Sequence, residues 1–302
     1  MSLLVVGSVA FDALETPFGK VDRTVGGAAT YFSVAASFFT RVNLVGVVGD
    51  DFTRRDATVF RGRRIDVRGL ERAPGKTFFW AGRYSANLNE RLTLATDLNV
   101  FANFNPKLPP AYCGSEYIFL ANIDPTLQQS VLHQVHGRPK LVALDTMNYW
   151  IERTPEALRE TLRHVQVLMI NDEETRQLAN EHNLLRAARH IFRMGPKTLV
   201  IKRGEHGALM VHGDSIFAVP GLPLDEVRDP TGAGDSFAGG FMGYLASARR
   251  INDATLRRAM IYGSVLGSFA VERFGLDRLR TLTRREIDSR ARHFWQLTRF
   301  RL

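Results

Sequence analysis

Asp229-Pro-Thr-Gly-Ala-Gly-Asp-Ser-Phe-Ala-Gly-Gly240 decides how the rest of this chain is read. A strand-like run at 215–219 ends in a Pro/Gly-rich passage before it, and an apolar, small-residue helical pattern follows over 237–246. The segment is therefore expected to be a loop that opens directly onto a helix N-terminus. Backbone N–H groups there lack intrahelical partners and carry the positive end of the helix dipole, which suits an anion. Gly232 and Gly234, flanking Ala233, let the backbone approach that anion with no Cβ in the way. Asp235 is out of place in such a setting, because a carboxylate repels a phosphate. It makes sense as a base that deprotonates a hydroxyl attacking phosphorus, so the segment points to phosphoryl transfer. The structural alternative is a Gly-rich turn capping an ordinary packed helix, with Asp235 as a first-turn acid that favours the dipole.

The bulk properties leave room for that chemistry. A chain of 302 residues can hold one large α/β domain with a small accessory element, and 45% hydrophobic with 24% charged residues is a globular composition. The lone Cys113 excludes an internal disulfide framework and points to a reducing compartment. The N-terminus runs straight into a strand pattern rather than a signal peptide, and no apolar run approaches the roughly 18 residues of a membrane span. A cytoplasmic location without membrane contact is expected.

The formal net charge of +9 draws on eight arginines between 278 and 301, interleaved with Leu279, Leu282, Ile287, Phe294 and Leu297. That pattern is the solvated face of a terminal helix more often than a nucleic-acid surface. Zinc-ligand spacing and RNA-binding aromatic signatures are both missing, so nucleic acid is not an expected partner. A positive field also suits an enzyme of anionic nucleotides.

Strands are expected at 3–6, 42–48, 117–121, 141–145, 165–170 and 198–202. Helices are expected near 27–39, 53–62, 125–136, 155–164, 173–193, 231–248 and 253–273. Continuous Val/Leu/Ile runs separated by helices imply a mainly parallel sheet covered on both faces. Two stretches break that rhythm, 11–22 and 67–104. Within the second, 77–84 and 91–96 resemble antiparallel strands joined by the polar turn 86–90. These form a small β element projecting from a single domain that spans 1–302. Its exposed edge could pair with the same element of a second copy, giving a homodimer.

The motifs also carry a family resemblance over most of the chain. The 229–240 segment resembles the C-terminal signature of the ribokinase-like (PfkB) carbohydrate and nucleoside kinases. The resemblance implies a three-layer ribokinase-like sandwich whose small β-sheet is a lid over the substrate. Val5-Val6-Gly7-Ser8-Val9-Ala10-Phe11-Asp12 resembles the family's first strand and loop, which makes Asp12 a holder of substrate hydroxyls. Without the family, an Asp after a strand end could equally cap a turn. Gly26-Gly27-Ala28-Ala29-Thr30 resembles the diglycine that opens a helix against the substrate. Ala28 stands where ribokinases proper have a lysine and Tyr31 where many members have an asparagine, so the acceptor stays open.

Asn171-Asp172-Glu173-Glu174 matches the family's Asn-x-x-Glu motif, which implies Glu174 near hydrated Mg²⁺ and Asn171 orienting the site. The same spacing is also a helix capping pattern. Lys202-Arg203-Gly204-Glu205-His206-Gly207 resembles the family's ATP-binding turn, through Lys202, Gly204 and Gly207, or is a hairpin turn into 208–212. Ser264, within 263–267, falls where relatives flank adenine, although small residues on a helix usually mean close packing. Asp229 and Thr231 correspond to positions that contribute to a monovalent-cation (K⁺) site in some relatives.

Two nucleotide motifs fail. Gly75-Lys76-Thr77 lacks the glycine that a Walker A loop needs, and Phe237 breaks a G-x-G-x-x-G begun at Gly232. The expected reaction moves the γ-phosphoryl of ATP to a sugar-like hydroxyl held by Asp12, Gly26 and Gly27. A nucleoside acceptor would use Tyr31, Phe78, Phe79, Trp80 and Tyr84 as stacking surfaces, unless these are core aromatics. A third reading is a non-catalytic nucleotide-binding protein of the same fold.

Overall fold

The apolar runs form strands whose side chains alternate between two buried faces. In β1 (Ser2–Val6), Leu3 and Val5 enter one core while Leu4 and Val6 enter the other. Each such fully buried side chain contributes about 1.5–3 kcal/mol. The computed structural model describes residues 2–88 and 90–299. Nine of its strands form one sheet in the order β13 (Ser215–Val219), β12 (Ala208–His212), β11 (Thr198–Lys202), β10 (Val167–Asn171), β9 (Leu141–Leu144), β8 (Tyr117–Leu120), β1, β4 (Arg41–Val48) and β5 (Ile65–Arg72). All pairs from β11 to β5 are parallel, and β12 and β13 extend the sheet antiparallel.

Helices Ala28–Ala36, Ala233–Ser247 and Asp253–Ala270 cover the face that holds Leu3, Val5, Met169 and Val200. Pro125–His133, Pro155–Leu162, Asp172–Ala179 and Leu184–Phe192 cover the face that holds Leu4, Val6, Leu168 and Ile201. The result is the expected three-layer α/β sandwich. A separate four-stranded sheet has the order β3 (Gly19–Gly26), β2 (Ala10–Thr16), β6 (Phe78–Tyr84) and β7 (Arg91–Asp97). Its two central strands, β2 and β6, run parallel.

Several boundaries differ from expectation. Residues 53–62 hold only a 3-10 turn, Asp56–Val59, because Asp56 Oδ2 accepts from Thr53 N and the chain leaves through Gly62 at φ +69°. The helix expected over 173–193 is two, broken where Asn180 turns left-handed at φ +47° and Asn183 caps the second. Residues 65–72, whose latter part was assigned to the small element, form the edge of the large sheet instead. The expected turn at 86–90 includes residue 89, which lies outside the described residues.

The arginine-rich end is largely the solvated face expected, with Arg280, Arg284, Arg285, Arg292 and Arg299 exposed, while two of its arginines pack. Arg278 bridges Glu272 and Glu286, Arg290 joins Glu272, and both guanidiniums lie over Phe269. Arg301 lies outside the described residues. No helix among the described residues is long and apolar enough to cross a membrane.

Candidate active site

Parallel strands deliver their C-terminal ends to one edge of the sheet, and polar residues collect there. Asp145 follows β9, Asn171 closes β10, and Lys202 closes β11 directly opposite Asn171 in register. Lys202 Nζ donates to Asp145 Oδ2 at 3.0 Å, with both side chains largely buried. Burial pulls the Lys202 ammonium down, but Asp145, Glu174 and Asp235 together hold it above its ordinary value.

Across from these strands lies the loop that opens onto helix Ala233–Ser247. Asp229 braces it, accepting from Thr231 N through Oδ1 at 2.9 Å and from Gly275 N through Oδ2 at 2.8 Å. Asp229 and Thr231, the expected monovalent-cation positions, both belong to this brace, and the Thr231 hydroxyl also pairs with Tyr84 Oη at 2.9 Å. Gly232 caps the helix at φ +72°, with the Tyr31 ring so close that a methyl group there would overlap it. The Ala233 N–H donates to Pro230 O at 3.2 Å. Among the described residues the Gly234 N–H has no backbone acceptor. A Cβ built on Gly234 would lie 3.3 Å from Lys202 Nζ, so the ammonium sits beside the first helical turn.

Five carboxyls in this corner are raised by burial, Asp145 and Asp229 among them. Asp235 is pushed up to about 6 by burial and by the charge of Asp145, with Lys202 and Arg91 pulling it back. Asp12, on β2, reaches about 7 through burial and the charges of Asp229 and Asp235, against a hydrogen bond from the Gly27 backbone. Its carboxylate lies against the Gly26 Cα, where any side chain would overlap it. Glu174 also reaches about 7, through burial with Asp145 adding to it and Lys202 opposing.

Both readings of Asn171 and Glu174 meet in one geometry. Glu174 N donates to Asn171 Oδ1 at 2.7 Å and Asn171 N to Glu174 Oε2 at 2.8 Å, a complete capping box. The box also fixes the half-buried Glu174 carboxyl near Lys202. Residues 202–207 form the hairpin turn, with Gly204 and Gly207 at positive φ and Arg203 N donating to Gly207 O at 2.8 Å. Ser264 is on helix Asp253–Ala270, which approaches the start of helix Ala233–Ser247 at Gly267, and its buried hydroxyl has no partner among the described residues. The structure therefore gathers Asp12, Gly26, Gly27, Glu174, Lys202 and Asp235 about one site, with the 204–207 turn and Ser264 at its margin.

Sequence reasoning missed Asp145, Arg91 and the loop contact of Tyr84. Asp145 carried the same signal as Asn171, a polar residue where a parallel strand ends. Tyr84 and Arg91 face each other as the last pair of the β6–β7 hairpin, which sequence alone does not place against residue 231.

The profile of the pfkB carbohydrate kinase family matches residues 2–281. The cytidine kinase of Thermococcus kodakarensis is 28% identical over 259 residues, covering 84% of this chain and 91% of that protein. The inositol 3-kinase of Arabidopsis thaliana is 39% identical over 297 residues, covering 90% of this chain and 74% of that protein. The crystal structure of an Escherichia coli putative ribokinase II in complex with ATP and Mg²⁺ superposes with a TM-score of 0.79 at 18% identity, covering 97% of this chain and 99% of that one. The chain belongs to the pfkB family of carbohydrate kinases, and its reaction class is phosphoryl transfer.

Asp12 supplies a stability test. Its carboxyl is raised on folding from 3.8 to about 7, so the folded state binds the extra proton and stability falls as pH rises between those values. At about 1.4 kcal/mol per unit the upper bound is about 4 kcal/mol at neutral pH. Asp12→Asn should therefore raise the melting temperature at pH 8, and raise it less at pH 5. An equal or larger gain at pH 5 would show that burial of the charge is not what the site tolerates.

Proposed function

We propose that this protein transfers the γ-phosphoryl group of ATP to a hydroxyl of a sugar or sugar-like polyol, with Asp235 as general base. The observation that carries this reading is the setting of Asp235 in the first helical turn, beside the Gly234 N–H and the Lys202 ammonium. A carboxyl raised to about 6 is ionised at neutral pH yet more basic than an ordinary aspartate.

Asp12 and the Gly26–Gly27 edge hold the acceptor, and Lys202, the Gly204–Gly207 turn, Asn171 and Ser264 line the nucleotide side. As the acceptor oxygen attacks the γ-phosphorus, its proton passes to Asp235 and the bond to ADP breaks in line. The N–H groups of Gly232 and Gly234 and the Lys202 ammonium meet the charge on the transferring group. The residues fit Mg²⁺, because a half-buried carboxyl held at about 7 gains from a divalent cation and Glu174 keeps Oε1 beyond its capping box. Glu174 and Asn171 would hold it through water, and when bound it supplies neutralisation of the phosphates.

The small sheet acts as a lid, tied to the transfer loop by Tyr84 and excluding water that would compete as acceptor. The candidate stacking aromatics favour a polyol over a nucleoside. On the small sheet Phe78 stacks on Phe101 at 5.3 Å and Trp80 lies under Arg91 at 5.2 Å, and on helix Ala28–Ala36 the Tyr31 ring packs on Gly232, so these rings have protein partners. The inositol kinase likeness supports the same acceptor class. The exposed Leu92 (61%) and Leu94 (48%) on edge strand β7 support a homodimer through the small sheets.

ADP release over a panel of polyols, hexoses and nucleosides tests the acceptor, and turnover with nucleosides alone would overturn the polyol class. Asp235→Asn should lose about 10²–10⁴-fold in kcat with the KM for ATP kept, and near-wild-type turnover sinks the base. Because the base must be ionised, kcat/KM should fall as pH drops through about 6, and a flat profile down to pH 5 contradicts the assignment. For the dimer, light scattering should report twice the monomer mass for the wild type and a monomer for Leu92→Lys; a monomeric wild type removes the interface.

A further inference from the structure

Asp145 is the buried acid of this corner for which the reaction above has no use. Its position is nonetheless strongly determined. Asp145 N donates to Leu120 O at 2.9 Å and its Oδ1 accepts from Thr146 N at 2.9 Å. Its carbonyl accepts from Gln128 Nε2 at 3.1 Å, and the same fully buried amide also reaches Ala121 O at 2.9 Å. The ends of β8 and β9 and helix Pro125–His133 are thus tied together around one carboxylate, whose remaining oxygen meets Lys202 at 3.0 Å.

Lys202 has other acids near it. Asp235 and Glu174 both act on its charge, yet among the described residues its only ion pair is with Asp145. An ammonium released from Asp145 has Asp235 as an alternative partner, and a carboxylate paired that way is a weaker base. An ammonium held by Asp145, in contrast, stays beside the Gly234 backbone where the anion is to lie.

We propose that Asp145 is a positioning residue for phosphoryl transfer, holding the Lys202 ammonium at the phosphate side of the Gly232–Gly234 turn and away from the Asp235 carboxylate. The inference rests on Asp235 serving as base. Asp145 acts entirely through Lys202, so its removal matters only while the lysine is present. A buried ion pair kept for stability alone is a poor competitor to this reading, since such pairs often stabilise no better than apolar residues of similar size.

The groups that face Asp235 set the sign of the pH effect. They are Asp145 on the strand side, Lys202 from β11 and Arg91 from the small sheet, with Asp12 also within electrostatic reach. Removing Asp145 takes away a negative charge and frees the lysine, and both changes favour the ionised base. Removing Lys202 does the opposite.

The test is a double-mutant cycle of Asp145→Asn and Lys202→Met, with kcat and both KM values measured across pH. Each single variant should lower kcat/KM by about 10–1000-fold, and the double variant should be no worse than Lys202→Met alone. The acid limb should move to lower pH in Asp145→Asn and to higher pH in Lys202→Met, by about one unit. Additive losses, or limbs that move in the same direction, overturn the proposal. Should Asp145→Asn not fold, the limb of Lys202→Met still decides, because an unmoved limb denies the lysine its influence on the base. The two readings fail separately: a turning-over Asp235→Asn removes the base, whereas an additive cycle with Asp235→Asn inactive removes only the role of Asp145.

Discussion

The C-terminal edge of the parallel sheet concentrates carboxyls around one ammonium, and the rest of the site is arranged by how that charge is shared. Asp145, Glu174 and Asp235 all act on Lys202 while being partly or wholly cut off from water. With fewer cations than acids, burial wins and the acids rise toward neutrality. Holding these acids together costs the folded protein stability at neutral pH.

The backbone around the corner is correspondingly over-determined. Asp229 ties two segments far apart in sequence, 229–231 and 275, through both of its oxygens. Gly232 can be nothing larger because the Tyr31 ring occupies the space a side chain needs. The same ring explains why helix Ala28–Ala36 and helix Ala233–Ser247 start beside one another. The diglycine that leads into the first helix lies against Asp12, and the first turn of the second carries Asp235.

Much of the large sheet was legible because its signal is local. Runs such as Leu199-Val200-Ile201 are buried on both faces and read as strands without any partner being known. The loop at 229–235 was legible for the same reason, since glycines and a helix start are properties of short segments. What escaped was set by side chains that meet across sequence distance. Asp145 acquires meaning only beside Lys202, 57 positions away, and Tyr84 only beside Thr231. The break at Asn180 was missed because the left-handed turn interrupts a pattern that remains helical on both sides. The commitment of the Ala233 N–H to Pro230 depends on the turn geometry that precedes the helix, which composition does not report.

The parallel pairing of β2 with β6 bears on the order in which the molecule assembles. A parallel pair cannot be closed by a tight turn, and here the crossover between the two strands contains β3, helix Ala28–Ala36, β4 and β5. The loop-closure entropy of that pairing is met only once the first part of the large sheet exists. The β6–β7 hairpin can form locally, but it has nothing to dock on until β2 is held in place. The small sheet is therefore among the last parts of the chain to become native, and among the first to be released on partial unfolding.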